Sequence, residues 1–218
     1  MRRFSQLFSA TVVVVLASGV ACKNDSGVTG PTSLEGQYRG TMAGESSPSL
    51  SASLALTVAA STTGTITPVG AAPITVTGTY VASTKAVALS GGGFPIAGTI
   101  DDTGKLLGTY MHATTQGSVV AYRHASANPV TVYCGTYTGD ADGIWNSVLR
   151  GTSLSGVYDN VDGSDGYFTG TVNGSSVSIT DVTASPGTTA TGTITGTTLS
   201  GTWSGGSFVG TWTSDATC

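Results

Sequence analysis

One short unit recurs ten times along the chain: an apolar residue, a glycine two positions on, and a second apolar residue two beyond that. The copies are Leu34/Gly36/Tyr38, Val76/Gly78/Tyr80, Ile96/Gly98/Ile100, Leu106/Gly108/Tyr110, Tyr133/Gly135/Tyr137, Leu154/Gly156/Tyr158, Phe168/Gly170/Val172, Leu199/Gly201/Trp203 and Phe208/Gly210/Trp212, with Ala190/Gly192/Ile194 as a weaker one. Residues two apart in a strand share a face, so each copy sets glycine between apolar neighbours on one side of a sheet. Glycine weakens a strand and offers nothing to pack. Its repeated use on the apolar face marks places where a strand coils sharply or where a neighbouring ring lies over the backbone. Small closed barrels need both devices.

The alternate positions are mostly Thr and Ser, which combine β-propensity with a hydrated outer face. With 32 glycines and only 9% charged residues, the chain reads as all-β with many tight turns. Three Trp and eight Tyr at regular positions argue against a disordered Gly/Ser linker. An outer-membrane barrel is disfavoured too, because its lipid-facing side would have to be the apolar one.

Turn chemistry cuts the second half into eight strands, at 132–138, 143–150, 153–159, 166–172, 176–182, 189–195, 198–203 and 207–214, joined by hairpin connections such as "GDADG", "NGSS" and "SGGS". The first half divides at 34–41, 50–59, 63–67, 74–81, 85–89, 95–101, 105–112 and 118–124, with longer turns. Short connections make consecutive strands antiparallel neighbours. The expected fold is all-β, an antiparallel up-and-down meander in two tandem eight-stranded barrels. One larger closed sheet or a sandwich is the competing architecture. The domains are then a first meander at 33–125, a linker at 126–131 containing Asn-Pro, and a second barrel at 132–218.

The N-terminus has the layout of a secretory signal at residues 1–21: Arg2 and Arg3, an apolar run from about Phe8 to Ala17, then Gly19, Val20 and Ala21. Followed by Cys22, this stretch resembles the lipobox of bacterial lipoproteins, with Gly19 where that family usually has Leu. The resemblance implies acylation of Cys22 and a mature chain anchored in a membrane by lipid; ordinary signal-peptidase cleavage and plain secretion remain the alternative. Residues 22–32 read as a flexible tether whose coil reach is roughly 20 Å. The chain from Cys22 keeps six basic residues against twelve acidic ones, a net charge of −6 that disfavours nucleic acid and anionic lipid as partners. If lipid occupies Cys22, Cys134 and Cys218 are left as an even pair in an oxidising compartment, and a disulfide between them is expected over two unrelated thiols. Closing that loop is worth about 4–5 kcal/mol on the chain-entropy account. It would clasp the first strand of the second barrel to the chain just past its last.

Strings such as "LSGTW" and "LLGTY" resemble strand segments of avidin-like and lipocalin-like barrels, which hold a small ligand in the mouth of an eight-stranded meander. The resemblance implies the barrel and carries no site residue with it. Interior rings are expected from Tyr137, Tyr158, Trp203, Phe208 and Trp212, as packing or as the lining of a pocket for a hydrophobic ligand. Trp145 is expected near a rim, where it could stack on a sugar. The speculative ligand-binding set is therefore Tyr137, Trp145, Tyr158, Trp203 and Trp212. Asp140, Asp142, Asp159, Asp162 and Asp165 fall in Asp-Gly turns without the full alternation of a calcium loop, so they read as solvated turns. His112 and His124 do not form a metal site, and Asp101 and Asp102 belong to a turn with Gly104. No nucleophile–base arrangement is readable, so no enzyme, metal or cofactor is expected. The functional expectation is a non-enzymatic lipoprotein of the cell envelope or surface, acting as a binding or structural module through a protein partner. The alternative is a barrel that carries or sequesters a small hydrophobic ligand, or an exported protease inhibitor.

Overall fold

The computed structural model describes residues 33–44, 50–161, 165–181, 187–215 and 218; the expected signal, the expected acylation at Cys22 and the expected tether lie outside the described residues. Ser33–Cys218 forms one compact unit. Its regular structure among the described residues is sixteen strands. The first eight are β1 (Gly36–Gly44), β2 (Leu50–Val58), β3 (Ser61–Pro68), β4 (Ile74–Val81), β5 (Ala86–Ser90), β6 (Ile96–Ile100), β7 (Lys105–His112) and β8 (Thr115–Arg123). The second eight are β9 (Val130–Gly139), β10 (Gly143–Arg150), β11 (Ser153–Asn160), β12 (Asp165–Asn173), β13 (Ser176–Asp181), β14 (Thr189–Thr195), β15 (Thr198–Gly205) and β16 (Phe208–Asp215).

Each set closes into an eight-stranded antiparallel barrel in simple chain order. The first seam runs from Tyr38↔Arg123 to Gly44↔Gly117, and the second from Gly139↔Gly210 to Cys134↔Asp215. Closure removes the long open edges that a meander would otherwise present for aggregation. Just past the second seam, Cys134 and Cys218 form a disulfide with Cα atoms 5.1 Å apart.

The pleat sorts side chains as the glycine repeat requires. Inside the first barrel Tyr38, Met42, Leu54, Leu56, Ile66, Val76, Leu106 and Val119 are buried, joined by Tyr80, Phe94 and Tyr110. Burying each such side chain contributes roughly 1.5–3 kcal/mol relative to leaving it in water. Burial pushes the Tyr38 phenol up to about 12, against the opposing pull of the Arg123 charge, and its hydroxyl donates to the Leu34 carbonyl at 2.7 Å. Inside the second barrel rings lie across inward glycines. A Cβ on Gly135 would sit 2.8 Å from Cε2 of Trp145, and on Gly156 or Gly192 it would overlap the rings of Phe168 or Trp212.

The stretch between the barrels is tighter than a free linker. Strand β9 starts at Val130, two residues earlier than expected, and Val130 N donates to His124 Nδ1 at 3.0 Å while Ala125 and Asn128 form a bridge. The outer faces of β1, β8, β10 and β11 then pack together, burying Ala43, Val120, Tyr122, Val148 and Val157 with Val130. Polar contacts pin this face. Asn146 donates through Nδ2 to the Met42 carbonyl (2.6 Å) and accepts from Ser51 Oγ (2.8 Å). Tyr122 shares a hydrogen bond with Ser155 (2.8 Å), and Arg150 lays its guanidinium 4.4 Å from the Tyr122 ring centre while donating to Thr103 O at 2.7 Å.

Candidate functional site

The last residues of β9, β11, β13 and β15 and the first of β10, β12, β14 and β16 lie at one end of the second barrel, and the aromatic residues singled out from the sequence divide by depth there. Tyr137, Tyr158 and Trp203 face inward and are half-buried. The Tyr137 and Trp203 rings meet edge-on at 6.1 Å, Tyr137 donates its hydroxyl to Asn160 Oδ1, and the Trp203 indole N–H donates to Thr138 O at 3.3 Å. Trp145 and Trp212 are buried, edge-to-face at 5.2 Å, with Phe168 against Trp145 at 6.5 Å. Their indole N–H groups donate to Thr136 O and Thr202 O, both at 3.1 Å, so neither buries an unmet donor.

Two expectations need correction. Trp145 is not at a rim: it is the third residue of β10, opposite Gly135, whose missing side chain makes room for the indole, and only 4% of it is exposed. Phe208 is not inside: it opens β16 directly after the turn at Gly206, pairs with Gly205 at the strand end, and is 56% exposed. Val209 (58%), next in the chain, and Val161 (75%), just past β11, are exposed as well. These rim residues were missed, although a signal existed. Val209 is the apolar break in the outward row Thr169, Thr180, Thr189, Ser204, Val209 that the pairing brings side by side.

The rim is stitched by its acids. Asp140 Oδ2 accepts from Val209 N at 2.9 Å and Asp140 N donates to Val209 O at 3.0 Å; Asp142 Oδ1 accepts from Gly139 N at 3.1 Å, and Asp142 O accepts from Val161 N at 3.0 Å. Both carboxylates are exposed. A third expectation, that Asp159 is a solvated turn residue, also needs correction: β11 runs on to Asn160, so Asp159 lies within the strand between Ile144 and Asp165 and is 1% exposed, while Asp162 lies outside the described residues. Among the described residues no three His, Cys, Asp or Glu side chains gather as a metal-holding group. His112 stacks on Phe94 at 4.5 Å, while His124 serves the barrel junction. Asp101 is a turn anchor. Burial would raise its pKa, but hydrogen bonds from the Thr103 hydroxyl and the Lys105 and Thr103 amides outweigh that and hold it below the ordinary carboxylate value. Asp102 pairs with Lys85 at 2.5 Å.

An open groove of about 370 Å³ lies between the barrels, lined by Arg39, Ser53, Thr67, Thr131, Val132 and Cys218 among others. Its lining is small and mixed. Charge separates the two halves: residues 33–131 carry four basic and four acidic residues, whereas 132–218 carry one basic and seven acidic ones. The single cation, Arg150, sits at the opposite end of β10 from the rim. The barrel mouth thus offers indole and phenol faces, exposed apolar side chains and anchored carboxylates, a set suited to recognition. No protein-family model matches the chain, and no curated protein is similar to it.

Proposed function

We propose that the protein is a non-enzymatic module of the cell envelope, exported by its signal, held to a membrane by lipid on Cys22, and working by binding a partner at the open end of the second barrel. The observation that carries this reading is the filling of that barrel. Trp145, Phe168 and Trp212 occupy its centre edge-to-face, which leaves recognition to the half-buried Tyr137, Tyr158 and Trp203 and to the rim. A disulfide clasping the barrel suits an oxidising compartment outside the cytosol.

The half-buried mouth rings favour one second reading, carriage of a small hydrophobic ligand. Intact mass spectrometry of protein purified from its host separates the two. A lipidated binding module shows an acyl mass on Cys22, loses it together with membrane association in Cys22→Ala, and carries no non-covalent passenger under native conditions. A co-purifying small molecule whose removal shifts tryptophan emission overturns the module in favour of the carrier.

A further inference from the structure

We propose that the rim of the second barrel around Val161, Phe208 and Val209 docks a basic, amphipathic segment of another polypeptide. The inference rests on reading the protein as a binding module and names the chemistry of its partner.

The apolar residues are contiguous with the charges. Val161 N donates to Asp142 O, Asp142 accepts from Gly139, and Asp140, one residue on from Gly139, is bonded through both backbone and carboxylate to Val209. Phe208 adjoins Val209, and Trp203 reaches the same edge through Thr138 O. Three of the seven large apolar side chains exposed on the described residues therefore stand on one rim, and the outward row that leads up to Val209, Thr169, Thr180, Thr189 and Ser204, is Thr and Ser. Such a cluster on a hydroxyl-rich surface points to a partner that covers it.

Charge decides which partner. Asp140 and Asp142 are exposed carboxylates tied to the backbone by one side, so their positions are fixed before anything binds. No lysine or arginine of residues 132–218 lies at this end. An anionic lipid surface or a nucleic acid would be repelled, and a neutral oily ligand would leave the carboxylates unused. A segment alternating basic and apolar residues satisfies both features: its cations meet Asp140, Asp142 and the half-buried rings of Trp203 and Tyr158, and its apolar side chains cover Phe208, Val209 and Val161.

The test titrates the disulfide-bonded chain without its lipid, as Cys22→Ala, calorimetrically with three synthetic peptides, one alternating Lys with Leu, one Glu with Leu and one Lys with Ser, and with vesicles of neutral and of anionic phospholipid. The Lys/Leu peptide binds, its affinity falls about tenfold or more from about 0.05 M to about 0.5 M salt, and the other four probes bind at least about tenfold more weakly. D140N with D142N keeps an acceptor for each turn amide and removes only charge; F208S with V209T removes only exposed apolar surface. Each pair weakens the Lys/Leu peptide about tenfold while tryptophan emission stays unchanged. Equal binding of the Glu/Leu peptide, undiminished binding by either pair, or preferential uptake by vesicles overturns the proposal. A negative titration on protein free of bound small molecule removes the partner class alone, whereas a co-purifying small molecule removes the binding-module reading itself.

Discussion

The two barrels share strand number, connectivity and the glycine-centred repeat, yet they fill their interiors with different material. The first is packed with aliphatic side chains contributed by every strand, from Met42 and Leu54 round to Leu106 and Val119. The second relies on a few large rings laid over glycines, and the inward residues of β14, Ala190, Gly192 and Ile194, are only half-buried. The barrel with fewer aliphatic side chains inside is also the one with a covalent clasp. A closed sheet can thus be stabilised by evenly distributed burial or by concentrated burial plus a cross-link, and the second route leaves an aromatic mouth at one end.

This contrast can be broken experimentally, and the largest effect belongs to the clasp. Cys134→Ser with Cys218→Ser, 84 residues apart, lowers stability by about 4–5 kcal/mol, and in a denaturant titration the tryptophan-bearing second barrel unfolds first. If the first barrel loses as much, the division between them fails. Next is Trp145→Ala, which opens a cavity under Phe168 and Trp212 at a cost of about 3–5 kcal/mol. Leu106→Ala in the first barrel costs about 2–5 kcal/mol and lies at the lower end of that range, because its aliphatic neighbours can close in. Equal losses at the two sites would show that the interiors are equivalent.

The pH limits sharpen the comparison from the other side: burial raises a phenol in each barrel, Tyr38 in the first and Tyr133 in the second, whereas a carboxylate held down by hydrogen bonds, Asp101, is found in the first. Asp101 is held below its ordinary value, so its contribution is present above the unfolded carboxylate pKa of about 3.9 and disappears as pH falls through the lower folded value. Tyr38 is raised to about 12, so its contribution is complete below pH 10 and is lost between about 10 and 12 as the unfolded chain alone ionises. Urea midpoints measured across pH, with Asp101→Asn and Tyr38→Phe flattening the acid and alkaline limbs in turn, check both. The smallest effect is at Ser147, whose hydroxyl is buried in the second barrel without a hydrogen-bond partner among the described residues. Ser147→Ala is neutral or stabilising by up to about 1 kcal/mol, and a loss larger than that would reveal an unseen partner.

Much of this architecture was readable from residue order because its causes are local. Two-residue periodicity, Asp-Gly and Asn-Gly turns and inward glycines each act within one hairpin, and they suffice to specify sixteen strands. The Cys134–Cys218 pairing was readable as well, since a meander that closes must bring its first and last strands together. The contact between the barrels was not legible in this way, because it depends on which outer faces meet. The clue lay in two stretches that abandon alternation, "SVVAYR" in β8 and "IWNSVL" in β10, where both faces are buried. Trp145 was misplaced for a related reason: nearness to the turn along the chain suggested a rim, whereas pairing with Gly135 sets it beneath Tyr137. Phe208 errs the opposite way, with inward parity but no neighbouring strand residue left to cover it.

Each barrel closes only when strands more than eighty positions apart find one another, Tyr38 with Arg123 and Cys134 with Asp215. Contacts this distant in sequence are slow to form, on the order of milliseconds to seconds for β topologies of this type. Until that moment β1 and β8, or β9 and β16, each present one unpaired edge open to a second chain. The finished molecule has no such vulnerability. Its hazard is confined to the interval before closure, and early oxidation of Cys134 and Cys218 would shorten that interval for the second barrel alone.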